Sequence, residues 1–461
     1  MKILLTGATG MIGKELGKAL VAQGHQLVCL VRNPKTAKIQ LPFPCSVFKW
    51  DSQSEVPLEA LSHVEAIYHL AGDSIAGGRW TKERKRKIHD SRSEGTKHLI
   101  DGIIKSYNFG TNRIQTFISA SAVGYYGTRG DDSLSEEETP GDDFLAKVCV
   151  DWEKASDVLQ AMGVRVCHHR LGFVLSRQGG GMDKLFPLFA IGVGGRVGSG
   201  KQWMSWVHID DVVGAFIFNL TSKGEGAFNV TAPFPIRNTG FTQELAIALG
   251  RPASFPVPAI ALKIVLGEMS VVVLASQNSN SAKLVRTGYR FKYTLIRDAF
   301  KDICKVWAKG EKEILQEQWF AQPPEELFPF FCDEKNLQVL TPEFLHFHVL
   351  QKSTPDIKKG TIIDYSLKLH GLTFFWKTLI EEWEPGKSFA DTQLKGPYKK
   401  WQHRHEFQPF AGGTLMRDRV HYSLPMGRLG AAVAGWKVEQ DIEVIFSYRR
   451  AKIAEIMTAS H

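Results

Sequence analysis

The chain has no C-x-x-C pair, no uninterrupted apolar run long enough to span a bilayer, no internal repeat and no low-complexity tract. Its six cysteines (Cys29, Cys45, Cys149, Cys167, Cys304 and Cys332) are scattered, which fits reduced thiols and a cytoplasmic location. The longest apolar stretch, Val257 to Ala275, is broken by Lys263, Gly267 and Glu268, so it predicts a buried or surface helix and no membrane span. A strand-like run begins almost at Met1 and leaves no room for a signal peptide. Nor is charge of one sign concentrated. The net charge of +9 is spread along the chain, and its densest cluster, Lys82 to Lys87, reads as a solvated helix face rather than a nucleic-acid patch. What remains is ordinary globular composition, 43% hydrophobic and 23% charged over 461 residues, which is enough for two or three domains.

What is present begins at the first residue. Met1 to Gly13 read MKILLTGATGMIG, an apolar run followed by Gly7, Gly10 and Gly13. A buried strand turning sharply into a helix favours a residue without Cβ at Gly7. Close approach of backbone to a pyrophosphate favours Gly10, and tight packing of helix on strand favours Gly13. Thr9, Met11 and Ile12 complete the loop, and a helix starting near Met11 offers the phosphates its free N–H groups and positive dipole end. The second strand, Gln26 to Val31, ends in Arg32. An acidic residue there would bond a free ribose 2′-OH, whereas Arg accommodates a 2′-phosphate, so Arg32 with Lys35 predicts NADP over NAD. Asp51, after another short strand, is the candidate for the adenine amino group. Leu70, Ala71 and Gly72 end the next strand where the cofactor would lie against backbone, and Ser119 is a further candidate contact.

The first 170 residues alternate strand-like runs (Ile3–Leu5, Gln26–Val31, Ala66–Leu70, Thr116–Ser119, Arg165–His169) with helical stretches around Lys14–Gln23, Lys82–Ile104 and Phe144–Met162. That alternation predicts right-handed βαβ units and an α/β, doubly wound parallel sheet. From residue 171 to about 300 the chain is richer in Gly and Pro, which fits a small substrate lobe built on the same sheet. Past about residue 309 the pattern becomes one of alternating segments rich in Trp, separated by turn signals such as Pro385-Gly386 and Gly412-Gly413, and a helical stretch from about Leu429 to Met457 closes the chain. The expected division is residues 1–305 for a nucleotide-binding domain and 312–461 for a separate α+β domain.

Further motifs bring a family into view. T-G-A-T-G-M-I-G, L-A-G at 70–72 and S-A-S-A-V-G-Y-Y-G at 119–127 resemble the extended and atypical short-chain dehydrogenase/reductases. Gly78-Arg79-Trp80, Ser91-Arg92, Trp152-Glu153, Arg170-Leu171-Gly172, Trp206 to Asp211 and Gly288 to Phe291 are similar to the epimerase-like atypical branch often called YfcH-type. The resemblance covers about residues 1–305 and implies a Rossmann fold and an NADP-dependent oxidoreductase or epimerase-like activity on a small molecule. In that family a Ser and a Tyr-x-x-x-Lys surround the nicotinamide, the Tyr moving the proton and the Lys lowering its pKa. Ser121 matches the serine. Phe144 stands where the Tyr is expected, Val148 where the Lys is expected, and Arg92 near where extended members carry Asn. Lys147 is one position off, about 100° around the helix, and reads as solvated. Tyr125 and Tyr126 are the phenols left, with Tyr125 the candidate donor. Arg92, Arg170 and His208 are candidates for binding a polar or anionic substrate. Reduction with an unusual donor, epimerisation, and cofactor binding without turnover, as in a sensor, all stay open.

Two motifs point elsewhere and are set aside. Gly195 to Lys201 satisfies most of a P-loop, but Gln202 cannot ligate magnesium as Ser or Thr would and no strand precedes it, so a lid over the substrate pocket is expected instead. His403 and His405 share a strand face and His421 lies on a neighbouring strand, yet no acidic or Cys partner stands out, and packed histidines without a metal are expected. Residues 312–461 resemble the START/Bet v1-like superfamily (the polyketide cyclase-like proteins) through Phe330 to Asp333, Leu340-Thr341-Pro342, Gly360 to Tyr365, Trp376, Gly396-Pro397-Tyr398, Trp401 to His405 and Asp418-Arg419-Val420. That resemblance implies a helix-grip fold: an antiparallel sheet and a long C-terminal helix around a cavity suited to a hydrophobic ligand.

Overall fold

Strands buried on both faces read as near-continuous apolar runs and need helices above and below them, and the first part of the chain meets both conditions. In the computed structural model, which describes residues 1–108, 113–177, 179–425 and 428–459, the chain divides into two units. Met1–Ala37 and Cys45–Lys305 form the first, and Lys38–Pro44 and Val306–His461 the second. The sheet of the first unit has seven strands: β1 (Lys2–Thr6), β2 (Gln26–Val31), β3 (Ser46–Lys49), β4 (Ala66–His69), β5 (Thr116–Ala122), β6 (Arg165–Leu171) and β7 (Gly226–Val230). They run in the order β7-β6-β5-β4-β1-β2-β3, each pair parallel. The chain order reverses at β1, which lies between β4 and β2. The crevice beyond the C-terminal ends of β1 and β4 is therefore the topological switch point where an open α/β sheet takes its ligand.

The helices that matter here are α1 (Met11–Ala22), α2 (Lys82–Asp90), α3 (Ser93–Asn108), α4 (Phe144–Lys154) and α5 (Ile209–Thr221). Leu99, Ile100 and Ile103 of α3 pack on Leu4, Val28, Ile67 and Phe117 of the sheet to make its main core. The long helical stretches expected at Lys82–Ile104 and Phe144–Met162 are each two helices. Serine hydroxyls account for both breaks: Ser91 Oγ donates to the Ile88 carbonyl at 3.1 Å and Ser156 Oγ to the Glu153 carbonyl at 3.0 Å, competing with the helical ladder. Residues beyond Leu171 add β7 and short ladders such as Phe173–Leu175 with Trp206–His208. Within Val257–Ala275 a helix covers Ala259–Leu266 at the surface, with Ile260 and Ile264 exposed. Among the described residues no helix is long and apolar enough to cross a membrane. The six cysteines are unpaired.

The second unit is an antiparallel sheet with a long helix. Its strands are β8 (Lys312–Phe320), β9 (His348–Lys352), β10 (Ile362–Leu369), β11 (Leu372–Glu384), β12 (Ser388–Lys395), β13 (Lys400–Phe410) and β14 (Gly413–Ser423), ordered β8-β14-β13-β12-β11-β10-β9. Period-two alternation puts His403, His405 and Phe407 of β13, with Met416, Asp418, Val420 and Tyr422 of β14, on the buried face. Against that face packs α6 (Arg428–Ala459). Ile442 and Phe446 meet Val420 and Tyr422, and Ile453 meets Phe389, Phe407 and Met416.

Candidate functional site

The loop after β1 turns the strand sharply into α1 and depends on its glycines. Gly7 has φ +69°, and a Cβ on it would lie 2.7 Å from the Leu70 carbonyl carbon. A Cβ on Gly13 would lie 2.2 Å from the Gly7 carbonyl oxygen, so glycine is what allows α1 to start this close to the strand. Thr9 and Gly10 are exposed and Met11 and Ile12 half-exposed, and no acidic side chain occupies the first turn of α1. The free N–H groups there face open space in a positive field, which is what an anion needs. Thr6 Oγ1 accepts from the N–H groups of Leu70 and Ala71, both at 3.1 Å, and locks the loop after β4 beside this turn. His69 bridges Thr6 and Thr96 at 2.9 Å each, and burial pushes its pKa down to about 3, so it is a neutral structural link.

At the end of β2, Arg32 and Lys35 are exposed, and among the described residues no hydrogen bond or ion pair engages Arg32. Asp51 is exposed too, but it accepts from the Ser54 hydroxyl and the Gln53 N–H, and these bonds hold its carboxyl below the usual range. Ser119 is buried, its hydroxyl donating to the Ala120 carbonyl at 2.9 Å.

Around Ser121 the structure has a closed buried network. Ser121 Oγ donates to Glu153 Oε1 at 2.6 Å, and Arg170 donates to both Glu153 oxygens, at 2.9 and 2.8 Å. Arg170 Nη1 reaches the Tyr126 hydroxyl at 3.0 Å, which in turn donates to Asn229 Oδ1 at 2.7 Å. Burial raises the Tyr126 phenol to about 12. The Arg170 guanidinium also lies over the Tyr125 ring, 3.4 Å from its centroid. Tyr126 is therefore the packed member of the pair. Tyr125 is half-exposed, and among the described residues its hydroxyl has no partner. Phe144 packs edge-on to Trp80 at 5.2 Å, Val148 is buried and Lys147 points to solvent.

The three residues picked as substrate contacts have separate fates. Arg92 lies beside Gly72, over the Trp152 ring at 5.2 Å, with one bond to the Ile88 carbonyl, and burial lowers its pKa. Arg170 is committed to Glu153. His208 is an N-cap: its Nδ1 accepts from the Asp210 N–H at 3.1 Å and its ring stacks on Tyr293 at 3.9 Å. Glu153, which anchors this network, was not among the residues singled out from the sequence. Gly195 to Lys201 is neither a P-loop nor a loose lid. No helix follows it, and bonds such as Gly198 N–H to the Val257 carbonyl and Val257 N–H to the Arg196 carbonyl stitch it to its neighbour.

The second unit holds a cavity of about 450 Å³. Most of its wall is aromatic and aliphatic, including Tyr365, Trp376, Trp383 and Trp401, but Asp391, His403, His405 and Arg449 line it as well. His421, on the neighbouring strand, does not join His403 and His405. His421 faces the other side of the sheet and pairs with Glu313 at 2.9 Å, because period two puts it opposite Val420 and Tyr422. In its place stand two carboxylates that the sequence did not flag. Asp418 lies 2.5 Å from His405 Nδ1 and 3.5 Å from His403 Nε2, and Asp391 lies 3.9 Å from His403 Nδ1. Arg449 Nε is 3.7 Å from Asp418. Burial pushes His405 down to about 3, so it is neutral. Burial also raises Asp418, but His405 and Arg449 outweigh that and hold its carboxyl well below the usual range.

Comparison with known proteins agrees with the first unit. The model of the NAD dependent epimerase/dehydratase family matches residues 3–231, and a domain of unknown function, DUF1731, matches residues 257–303. The chain is 37% identical over 308 residues to the chloroplastic epimerase family protein SDR39U1 homolog of Arabidopsis thaliana, covering 66% of this chain and 86% of that protein. Among solved structures, human epimerase family protein SDR39U1 (isoform2) with NADPH is similar at TM-score 0.58 and 29% identity, over 66% of this chain and 99% of that one. The nucleoside-diphosphate sugar epimerase from Corynebacterium glutamicum is similar at TM-score 0.53 and 32% identity, over 67% of this chain and 58% of that one. With its switch-point glycine cradle and these matches, the N-terminal part of the chain belongs to the NAD dependent epimerase/dehydratase family, as an NAD(P)-binding Rossmann-type protein.

Proposed function

We propose that the first unit is a YfcH-type member of its family that prefers NADP(H) and uses it in an oxidoreductase or epimerase-like reaction on a small molecule. The observation that carries the cofactor preference is Arg32, exposed and without a partner among the described residues at the end of β2, where a 2′-phosphate would sit. Human SDR39U1 with NADPH supports it. The N–H groups at the start of α1 would hold the pyrophosphate, Leu70 to Gly72 would flank the cofactor, and Arg32 with Lys35 would take the 2′-phosphate. When bound, the cofactor supplies hydride chemistry. Tyr125 is then the phenol free to move a proton, with the Arg170 guanidinium packed over its ring. Ser121 is the second protic group and Arg92 the cation beside the Gly72 backbone. We place a START/Bet v1-like, helix-grip hydrophobic-ligand domain after it, on the strength of the antiparallel sheet, the long helix α6 and the aromatic cavity.

A second reading, a non-catalytic NADP(H) sensor, is favoured by Phe144 and Val148 at the dyad positions and by the commitment of Ser121 to Glu153. Titration of the full chain with NADPH and NADH tests the cofactor reading. NADPH binds tighter, and Arg32→Ala erases the preference; equal affinity in the unaltered protein refutes it. Turnover is tested by NADPH oxidation across carbonyl, quinone and enone substrates. Activity that disappears in Tyr125→Phe supports the enzyme, and no activity with any substrate supports the sensor.

A further inference from the structure

The cavity of the second unit has one polar pole in an apolar wall, and the register of three strands builds it. His403 and His405 share a face of β13, but the sequence alone shows no carboxylate beside them. The sheet supplies one from each side. Asp391 of β12 lies directly across from His403, and Asp418 of β14 directly across from His405. Residues directly opposite in an antiparallel pair project to the same face. Asp391, His403 and His405 therefore line the cavity together, and Asp418 stands outside the lining.

The two carboxylates have different tasks. Asp418 Oδ1 lies 2.5 Å from His405 Nδ1 and 3.5 Å from His403 Nε2. It faces one nitrogen of each ring and leaves the other, His405 Nε2 and His403 Nδ1, as a ligating pair. A carboxylate in that position keeps the proton on the nitrogen it faces and the lone pair on the far one, as it does behind the histidines of metal sites. Asp391 gives Oδ2 to the Thr378 hydroxyl at 2.9 Å and turns Oδ1 toward His403 Nδ1 at 3.9 Å. That separation is too long for a hydrogen bond and near the roughly 3.3 Å between two ligands of one tetrahedral ion. Asp391, His403 and His405 bring one ligand atom each within 4.8 Å of one another. Closing them on an ion takes side-chain shifts on the order of 1 Å. Charge agrees with a cation. Arg449 Nε, 3.7 Å from Asp418 Oδ2, offsets one carboxylate and leaves the other to be balanced.

We propose that Asp391, His403 and His405 form a site for a divalent first-row transition metal, with Asp418 orienting both imidazoles. Two imidazoles and a carboxylate suit zinc or ferrous iron, whereas magnesium and calcium take oxygen ligands. Three protein ligands leave a coordination position open, and the cavity is the space it opens to. A small oxygen or nitrogen donor, water included, takes that position. The site goes beyond the hydrophobic-ligand reading and does not require it.

Titration of the untagged, chelator-treated full chain tests it, with zinc followed by calorimetry and cobalt(II) by visible absorption. One ion binds tightly, and azide shifts the cobalt bands by entering the open position. Asp391→Asn, which keeps the shape of the side chain, and His403→Phe each weaken zinc about a hundredfold, and Asp418→Asn weakens it about tenfold. His421→Gln, on the other face of β14, leaves it unchanged. Zinc also raises the unfolding temperature of the unaltered chain and not that of Asp391→Asn, which separates a lost ligand from a lost fold. No uptake of either ion overturns the site, as does equal zinc affinity in the unaltered chain, Asp391→Asn and His403→Phe. A cobalt spectrum that azide does not shift overturns the open position. Each of these results leaves the hydrophobic-ligand reading standing.

Discussion

Each unit of this chain buries an arginine beside a carboxylate, and the two pairs are built differently. In the first unit Arg170 grips Glu153 at 2.9 and 2.8 Å, Ser121 adds a third bond, and the remaining guanidinium nitrogen reaches Tyr126. In the second, Arg449 stands 3.7 Å from Asp418 without an aligned bond, and two imidazoles crowd the same carboxylate. A closed network rigidifies the fold because its buried groups satisfy one another. An open network keeps buried polar atoms that a guest can complete.

The sharpest way to break that comparison is to remove each arginine in turn. Arg170→Met leaves Glu153 buried and without its cation, and we expect a loss of about 3–5 kcal/mol. Arg449→Met costs about 1–2 kcal/mol, because its contact is Coulombic only and Asp418 keeps His405. Urea unfolding of the full chain reads both, and equal losses would erase the distinction between a closed and an open pair. Gly13→Ala comes next. Its methyl would collide with backbone at 2.2 Å, and the strain of parting α1 from β1 costs about 3 kcal/mol and abolishes NADPH binding in the same titration. Retained NADPH affinity would mean that the cradle is not the phosphate site.

The same contrast marks what could be read from the sequence. The successive βα units of the parallel sheet and the glycine turn after β1 are local: each is a run of residues within one unit, and physics at that range is legible in a single chain. Glu153 was not, because its meaning comes from Arg170 on β6, which meets α4 only once the sheet is assembled. The polar pole of the second unit is more dispersed still, with Asp391, His403, Asp418 and Arg449 on β12, β13, β14 and α6. Period two put His403 and His405 together correctly. On the next strand the same alternation, with Val420 and Tyr422 packed on α6, turns His421 to the other face. The split helices are a smaller case of the same kind, where Ser91 and Ser156 lie inside otherwise helical patterns and take carbonyls for themselves.

Acid sharpens the comparison from another side. His69 and His169 of the first unit and His405 of the second are all held neutral by burial, with pKa values near 3. An unfolded histidine takes a proton near pH 6.5 that these refuse until near 3. Their contribution is therefore fully present above 6.5 and is lost as pH falls through that window, at about 1.4 kcal/mol per pH unit for each. At pH 5 that is about 2 kcal/mol for each histidine. His69→Gln keeps a polar group between Thr6 and Thr96 and removes one such proton, so its stability falls less steeply between pH 6.5 and 5 than that of the unaltered chain. An unchanged slope would show that His69 is protonated in the folded state.

The two adjacent tyrosines give the smallest and most local version of the closed and open cases. Tyr126 is closed: its hydroxyl donates to Asn229 and accepts from Arg170, so Tyr126→Phe strands both partners and costs about 1–2 kcal/mol. Tyr125 is open: its ring lies under the Arg170 guanidinium at 3.4 Å, and among the described residues its hydroxyl has no partner, so Tyr125→Phe keeps the ring contact and changes stability by less than about 0.5 kcal/mol. Thermal unfolding of the two variants side by side measures the difference. A loss in Tyr125→Phe as large as that in Tyr126→Phe would show that the Tyr125 hydroxyl is tied into the fold, and a hydroxyl tied in that way is not free to carry a proton to a substrate.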